Sequence, residues 1–115
     1  MNNEFYELNS CIPELRYIFF HLKNKKRAEY IKHARTGIVD CLQRVALNLA
    51  YATQARITLS KAQIASLRRC KKKIKALIAA KTIKEKKRIL TNSLVEIMLK
   101  IILSKRILDQ LGIDY

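Results

Sequence analysis

Turn-forming residues are scarce in this chain of 115 residues, which contains two glycines and one proline. A fold made of many short strands needs frequent turns, and glycine and proline supply most of them. The scarcity therefore argues against an all-β protein. Leu, Ile, Ala, Lys and Arg are abundant instead, and these residues favour helices. The composition predicts an all-α protein, a small bundle of four or five helices with short connections.

Complete disorder is also excluded, because 50% of the residues are hydrophobic and such a chain can bury a core. The length is that of one domain. We therefore predict a single helical domain over residues 1–115. Within it, residues 1–9 form an acidic N-terminal segment that can be disordered, and residues 61–88 form a basic segment.

Cysteine pairs at metal-binding spacing are absent. Cys11, Cys41 and Cys70 are widely spaced, and His21 and His33 form no cluster with them. Zinc sites usually need closely spaced pairs of ligands, so we expect no metal site. An odd number of isolated cysteines instead predicts buried or half-buried thiols in a reducing compartment.

Catalytic motifs are absent as well. The sequence has no nucleophile elbow, no glycine-rich phosphate loop and no pair of carboxylates on one helical face. Enzymes usually bring several titratable groups together at one site. We therefore expect a non-catalytic protein without a cofactor.

Long apolar runs and targeting signals are missing too. The most apolar stretch, residues 94–103, is short and interrupted by Glu96 and Lys100, whereas a membrane-spanning helix needs about 20 apolar residues. The N-terminus is acidic and lacks the basic region of a secretory signal. The sequence predicts an intracellular protein.

Positive charge is what the chain has in excess. The basic segment, residues 61–88, contains twelve Lys and Arg against one carboxylate, Glu85, so it carries +11 of the net charge of +15. Arg16 to Arg35 forms a smaller basic block. Such a concentration predicts a polyanionic partner.

A capping box at Ser60 and Gln63 predicts a helix that runs to about Ala80. At helical spacing its apolar residues, from Ile64 to Ile78, share one side. The cations form an arc on the other side and have no acidic partner four residues away, so they repel one another. These residues are Arg68, Arg69, Lys72, Lys73 and Lys75.

A second capping box, Thr82 with Glu85, opens the next helical piece and explains Glu85 without a catalytic role. This piece carries a second group of cations. They are Lys84, Lys86, Lys87 and Arg88. KNKKR at Lys23 to Arg27 can lie alongside, and such runs also serve as nuclear localisation signals.

The remaining helices follow from apolar periodicity. A first helix starts near Ser10 with Pro13 in its first turn, and a second, about 26–35, ends before Gly37. Residues 38–55 form the central helix. A last helix, about 94–111, begins with a box of Ser93 and Glu96 and is closed by Gly112.

Nucleic acid is the partner that the charge favours most. The two groups of cations named above would contact phosphates, because neutralising phosphates releases counterions and adds affinity. Tyr17, Tyr30 and Tyr51 could stack on bases, but they are separated in the sequence. Because stacking platforms are usually grouped, packing in the core or at its boundary is the favoured alternative for them. We therefore predict that the protein binds the sugar-phosphate backbone of the nucleic acid and does not recognise the base sequence.

The last helix carries the rival hypothesis, a helical adaptor or membrane-surface protein. Its apolar face can pack into the core of the bundle, form a dimer seam or bind a partner helix, or lie on a bilayer. The charge around this face is balanced, which makes the membrane surface less favoured. The face consists of Leu94, Ile97, Met98, Ile101 and Leu108.

A capped basic segment followed by a lysine-rich run also characterises a known group of proteins. The matching residues here are Leu59-Ser60-Lys61, Gln63, Leu67-Arg68-Arg69, Leu77 and Lys86-Lys87-Arg88-Ile89-Leu90. On these, residues 38–103 resemble small basic proteins encoded beside capsid genes in Polinton and adintovirus-type elements. The chain departs from that pattern at Thr91-Asn92, where those proteins usually have a Gly-Gly pair and a tail with Phe and Pro. The resemblance implies a virus- or transposon-derived, DNA-associated structural protein in the host nucleus or a virion.

Overall fold

The computed structural model of the protein describes residues 8–51 and 58–112. Every regular element in these residues is a helix and none is a strand, which confirms the all-α prediction. The count of helices is higher than the four or five expected. A 3₁₀ turn at Asn9–Cys11 precedes eight α-helices: α1 Ile12–Phe20, α2 Asn24–Lys32, α3 Thr36–Ala50, α4 Lys61–Arg69, α5 Lys71–Ala79, α6 Ile83–Ile89, α7 Asn92–Ile102 and α8 Lys105–Leu111.

Two bends account for much of the difference, since each divides a segment that was expected to be one helix. The helix predicted from Ser60 to Ala80 is broken at Cys70, and the helix predicted over 94–111 is broken after Ile102. At the second bend the Ser104 hydroxyl donates to the carbonyl of Ile101 at 2.8 Å, and the amide of Leu108 bonds to the Ser104 carbonyl. Ser104 thus ends one helix and begins the next.

The bend at Cys70 arises because the two halves of the predicted helix rest on different supports. α4 packs on α7, whereas α5 packs on α3 and α6. The Cys70 amide bonds to the Leu67 carbonyl, as in a tightened last turn, and its thiol lies 3.4 Å from the Ser66 carbonyl. As a consequence Ile64, which was expected in the core, is 38% exposed.

Helices α3 and α7 form the centre of the fold, and most other helices pack on one of them. Residues of α3 at spacings of three and four are fully buried, as an amphipathic helix requires. The central position predicted for residues 38–55 is confirmed as far as Ala50, and residues 52–55 lie outside the described residues. The predicted core stripe is Val39, Leu42, Val45, Ala46 and Leu49, all buried.

The apolar face of the last helix points into this same core. Of the five residues of the predicted partner or membrane face, Ile97 is half-buried and the other four are buried within the chain. The face therefore packs into the core of the bundle, which was one of the three alternatives given for it, and it does not form a free surface. The four buried residues are Leu94, Met98, Ile101 and Leu108. No helix in the described residues is long and apolar enough to cross a membrane.

The helix caps agree with the sequence at two starts. The backbone amide of Gln63 donates to the Ser60 hydroxyl at 3.1 Å, and the side-chain oxygen of Gln63 accepts from the backbone amide of Ser60 at 2.8 Å. These two bonds are the predicted reciprocal box. At α6 only half of the predicted box forms: the amide of Glu85 donates to the Thr82 hydroxyl at 3.1 Å, whereas the Glu85 carboxylate accepts from that hydroxyl at 3.2 Å and not from the Thr82 amide. Both caps fix where the basic helices begin.

Other predicted boundaries need correction. α7 is capped by Thr91, whose hydroxyl accepts from the Leu94 amide at 3.3 Å, so the expected box of Ser93 and Glu96 is wrong. Gly37 lies in the first turn of α3 and does not end a helix. Gly112, with φ of +70°, closes α8 as predicted, because glycine adopts this left-handed geometry without strain.

Two cysteines are joined where free thiols were expected. Cys11 and Cys41 form a disulfide that ties the 3₁₀ turn before α1 to α3. Cys70 is a free, buried thiol, and burial raises its pKa. The prediction of buried thiols therefore holds for Cys70 alone, and the disulfide argues against the reducing compartment that the sequence suggested.

Arg27 is the most deeply buried cation of the described residues, with 2% of its surface exposed. Its guanidinium donates to the carbonyls of Ile18 at 3.1 Å, Phe19 at 3.0 Å and Leu22 at 2.8 Å, at the C-terminal end of α1. It also reaches Asn92 at 3.1 Å on α7. One side chain from the KNKKR run thus joins three helices.

Asn24 begins α2 with φ of +48°, the one positive φ among the described residues other than glycine. Asparagine tolerates this region better than most residues, whereas a β-branched side chain is strained there. We expect Asn24→Val to lower the free energy of unfolding by about 1–2 kcal/mol, and Asn24→Gly to leave it nearly unchanged. Urea unfolding followed by circular dichroism measures both. Lys25→Val, at the exposed neighbouring position, is the matched control, and equal effects of the two valine variants would contradict the assignment.

Candidate nucleic-acid interface

Most cations of the basic segment are on the surface of three consecutive helices. Gln43 of α3 donates to the carbonyls of Leu77 at 2.9 Å and Ala80 at 3.0 Å, which fixes the end of α5. Ile74 and Leu77 bury the inner side of α5, so its lysines face solvent. We call the ten exposed cations of residues 61–88 the cationic surface. They are Lys61, Arg68, Arg69, Lys71, Lys72, Lys73, Lys75, Lys81, Lys84 and Arg88.

The bend at Cys70 changes how the first group of predicted cations is arranged. Arg68 and Arg69 lie on α4, whereas Lys72, Lys73 and Lys75 lie on α5. The single straight arc expected from the sequence is therefore replaced by two adjoining helices. All five of these side chains are nevertheless exposed.

Lys86 differs from its neighbours because it points inward. Its ammonium group lies 2.9 Å from the Asp40 carboxylate of α3, and 9% of the residue is exposed. It is the one cation of residues 61–88 that pairs with a carboxylate in the described part of the chain. Lys86 was predicted to contact phosphates with its neighbours, although its spacing of three residues from both Ile83 and Ile89 indicates an inner position.

The other predicted cations of α6 border a cleft against α2. Lys87 is half-buried and donates to the carbonyl of Lys32 at 3.0 Å, which joins the two helices. Lys84 and Arg88 are exposed on the same cleft, which has a volume of about 570 Å³. Glu85, also on its rim, accepts a hydrogen bond from the Thr82 hydroxyl at 3.2 Å. The cleft extends positive charge from α6 to Lys32 on α2.

The first turn of α5 is unusual in its charge. Lys71, Lys72 and Lys73 occupy it, and it contains no acidic residue. Helices normally favour Asp or Glu in the first turn, since cations there oppose the helix dipole and each other. The arrangement therefore weakens the isolated helix and concentrates positive charge at the bend between α4 and α5.

Aromatic rings form a group on α1 and α2, which the sequence did not predict. The ring centroids of Tyr17 and His21 are 5.6 Å apart with planes inclined by 25°, and Tyr30 lies 5.8 Å from Tyr17. Phe20 follows Tyr17 by three residues on α1, and its ring packs edge-on against the half-buried Phe19, with ring centroids 4.9 Å apart. The Arg16 guanidinium lies 5.3 Å from the centroid of the Phe20 ring. We call Tyr17, Phe20, His21 and Tyr30 the aromatic cluster. Tyr17 and Tyr30, which are separated in the sequence, lie together because the turn between α1 and α2 brings them into contact.

Tyr30 anchors this cluster through a short polar network. Its hydroxyl donates to one oxygen of Glu14 at 2.5 Å, and Arg35 donates to the other at 2.7 Å. The hydrogen bond to Glu14, followed by burial and the negative charge of Glu14, raises the pKa of Tyr30 to about 12. The network fixes the ring against which Tyr17 packs.

The network predicts an alkaline loss of stability. An unfolded tyrosine ionises near pH 10, so the folded state holds the Tyr30 proton more tightly. The resulting stabilisation is complete below about pH 10 and is lost as the pH rises towards about 12. We expect Tyr30→Phe to flatten the dependence of unfolding free energy on pH in this window, measured by urea unfolding. Glu14→Gln should lower the Tyr30 pKa in an ultraviolet titration of tyrosinate, and an unchanged titration would contradict the network.

No group of three or more His, Cys, Asp or Glu side chains that could hold a metal ion occurs in residues 8–51 and 58–112. No protein-family model matches the chain, and neither a curated protein nor a solved structure matches it. The assignment of this surface as a candidate interface therefore rests on its geometry and charge.

Proposed function

We propose that the protein binds nucleic acid without catalysing a reaction and largely without regard to sequence. The observation that supports this is the cationic surface, whose ten exposed Lys and Arg have no carboxylate partner in the described part of the chain. Such cations repel one another across a folded surface, and a phosphate backbone would relieve the repulsion while releasing its counterions.

The residues that contact phosphates in this proposal are the exposed members of the two predicted groups. Lys87, which is half-buried, lies at their edge, whereas Lys86 holds α6 to α3 through Asp40. We therefore give Lys86 a structural role. The proposed phosphate contacts are Arg68, Arg69, Lys72, Lys73, Lys75, Lys84 and Arg88.

Weak dependence on sequence follows from the residue types on α5. Its exposed positions carry only Lys and Ala. Base edges are read by bidentate groups such as Asn, Gln and Arg placed in a groove, whereas lysines act as point charges towards phosphates. A surface of lysine and alanine supports binding to the backbone.

The biological setting is a further part of the proposal. The resemblance to small proteins encoded beside capsid genes supports a role in packaging or organising a viral or transposon-derived genome, with DNA as the favoured nucleic acid. The adaptor or membrane-surface alternative is less supported, because four of the five residues of its face are buried in the core.

A salt series tests the proposal. The protein is titrated against duplex DNA and against vesicles containing anionic lipid, between about 50 and 200 mM salt. We expect the logarithm of the DNA association constant to fall linearly with the logarithm of salt, with a slope of about −0.9 for each phosphate neutralised. Absence of DNA binding at the lowest salt, or tight vesicle binding with leakage in its place, would contradict the proposal.

A further inference from the structure

We propose that the aromatic cluster is a base-stacking site and that the preferred ligand is single-stranded nucleic acid. This inference depends on the proposed function, because it names which form of nucleic acid the protein prefers. Bases of a duplex are stacked on each other inside the helix, whereas unpaired bases are free to stack on exposed aromatic rings.

Exposure is the first observation behind this inference. Phe20 is 52% exposed and Tyr17 is 45% exposed, and they are two of the four large hydrophobic residues that are exposed among the described residues. Both lie on α1, three residues apart, so they share one side of the helix. Single exposed hydrophobic residues are common on protein surfaces, whereas exposed rings that lie close together indicate a binding surface.

The arrangement of the rings is the second observation. Tyr17 and His21 are nearly parallel, Tyr30 is held behind Tyr17 by its bond to Glu14, and Arg16 covers part of Phe20. Rings that are already ordered lose little conformational entropy when a base stacks on them. Arg next to an aromatic ring also adds a cation that attracts the phosphate or the base face.

The charge around the cluster is the third observation. The chain from Arg16 to Ala28 contains five cations and no carboxylate. Lys23, Lys25 and Lys26 are exposed directly after the rings. The nearby carboxylates have partners, since Glu14 binds Tyr30 and Arg35, and Glu29 lies 3.1 Å from His33. The cluster thus combines rings for bases with lysines for phosphates.

The cluster also connects to the cationic surface through α2. On one side α2 contributes Tyr30 and Lys26 to a cleft that the paired carboxylates Glu14 and Glu29 also line, and on the other it contributes Lys32 to the cleft with α6. In this proposal a strand whose phosphates lie along Lys84 and Arg88 continues over α2 to the rings of α1. Single strands follow such a path more readily than a stiff duplex.

A lipid surface is less favoured as the occupant. A helix that inserts into a bilayer needs a wide, uninterrupted apolar face. On α1 the exposed positions next to Tyr17 and Phe20 are Pro13, Arg16 and, beyond the helix end, His21. Of these, Arg16 and His21 are polar, and polar groups interleaved with rings suit stacked bases between phosphates better than acyl chains.

Fluorescence anisotropy with labelled oligonucleotides of about 16 nucleotides, the upper end of usual site sizes, tests the inference. The full chain, a Tyr17→Ala/Phe20→Ala variant and a Tyr17→Leu/Phe20→Leu variant are titrated against a single strand and a duplex of the same sequence. We expect the native protein to bind the single strand more tightly. Both variants should lose at least about tenfold in single-strand affinity, keep duplex affinity within about threefold and keep the salt slope.

The leucine variant retains apolar bulk and replaces the alanine variant if that variant fails to fold. Tyr51→Ala is the matched control, because Tyr51 is an exposed ring outside the cluster. The inference is overturned if the variants bind the single strand like the native protein, if they lose duplex and single strand equally, or if the rings are needed for binding anionic vesicles instead. In those cases duplex binding through the cationic surface can still stand. Failure of the native protein to bind either oligonucleotide at low salt would overturn the proposed function as well.

Discussion

Replacing Arg27 by alanine is expected to lower the free energy of unfolding by about 3–5 kcal/mol. Arg27 is 2% exposed and donates to the carbonyls of Ile18, Phe19 and Leu22 and to the side chain of Asn92. Each acceptor left without a donor in a buried place costs about 1–3 kcal/mol. The lost stem and its contact with the Phe19 ring, 5.7 Å from the guanidinium, add a cavity.

Urea unfolding measures this effect, and neighbouring cations provide the controls. Lys25→Ala and Lys26→Ala remove charge from the same helix at exposed positions and should change stability by about 0.5 kcal/mol or less. Arg27→Lys keeps the charge but cannot reproduce the planar fork, so we expect it to recover only part of the loss. An Arg27→Ala protein within about 1 kcal/mol of the native one would show that the network contributes little.

Arg27 illustrates the limit of reading a basic run from its sequence. KNKKR contains four cations that look alike, and only the position of Arg27 four residues before the buried Ile31 indicates that it faces inward. Lys86 gives the same lesson on α6, where its partner Asp40 is 46 residues away. The number of charges identifies the basic segment, whereas the position of each cation around its helix determines whether it points into the core.

Local signals predicted more of the fold than of the candidate site. The caps at Ser60 and Thr82 and the end at Gly112 follow from side-chain chemistry within a few residues. The break at Cys70 could not be predicted in this way, because it comes from packing of α4 and α5 on different helices and carries no glycine or proline. The helix count was therefore too low, although the class was right.

The aromatic cluster was missed for a related reason. Tyr17 and Tyr30 are thirteen residues apart in the sequence, and they meet because a sharp turn at Asn24 folds α2 back on α1. Periodicity within one helix contains no information about such a pair. The disulfide between Cys11 and Cys41 likewise depends on how the 3₁₀ turn before α1 packs against α3, which the spacing of cysteines in the sequence does not reveal.

Once Arg27 and Lys86 are assigned to the fold, the exposed lysines of α5 become the sharpest test of function. Changing Lys72, Lys73 and Lys75 together to Glu is expected to reduce affinity for nucleic acid by more than about a hundredfold near physiological salt. All three are exposed. The loss of three phosphate contacts should also make the slope of log affinity against log salt less negative by about three.

The variant should remain folded, which makes a loss of binding interpretable. Lys72 and Lys73 lie in the first turn of α5, where acidic residues are favoured by the helix dipole. We therefore expect helicity and thermal stability to be kept or slightly raised, as circular dichroism would record. A melted variant would mean that these lysines support the fold in a way that their exposure does not indicate.

A second triple variant separates the cationic surface from net charge. Lys100, Lys105 and Arg106 are also exposed, but they lie on α7 and α8. Changing them to Glu alters the net charge by the same amount, so both variants lose equal long-range attraction. If α5 contacts phosphates, the α5 variant should bind at least about tenfold more weakly than this control and show the shallower salt slope. Equal losses in the two variants would mean that any positive charge suffices, and the assignment of the site to α5 would be wrong.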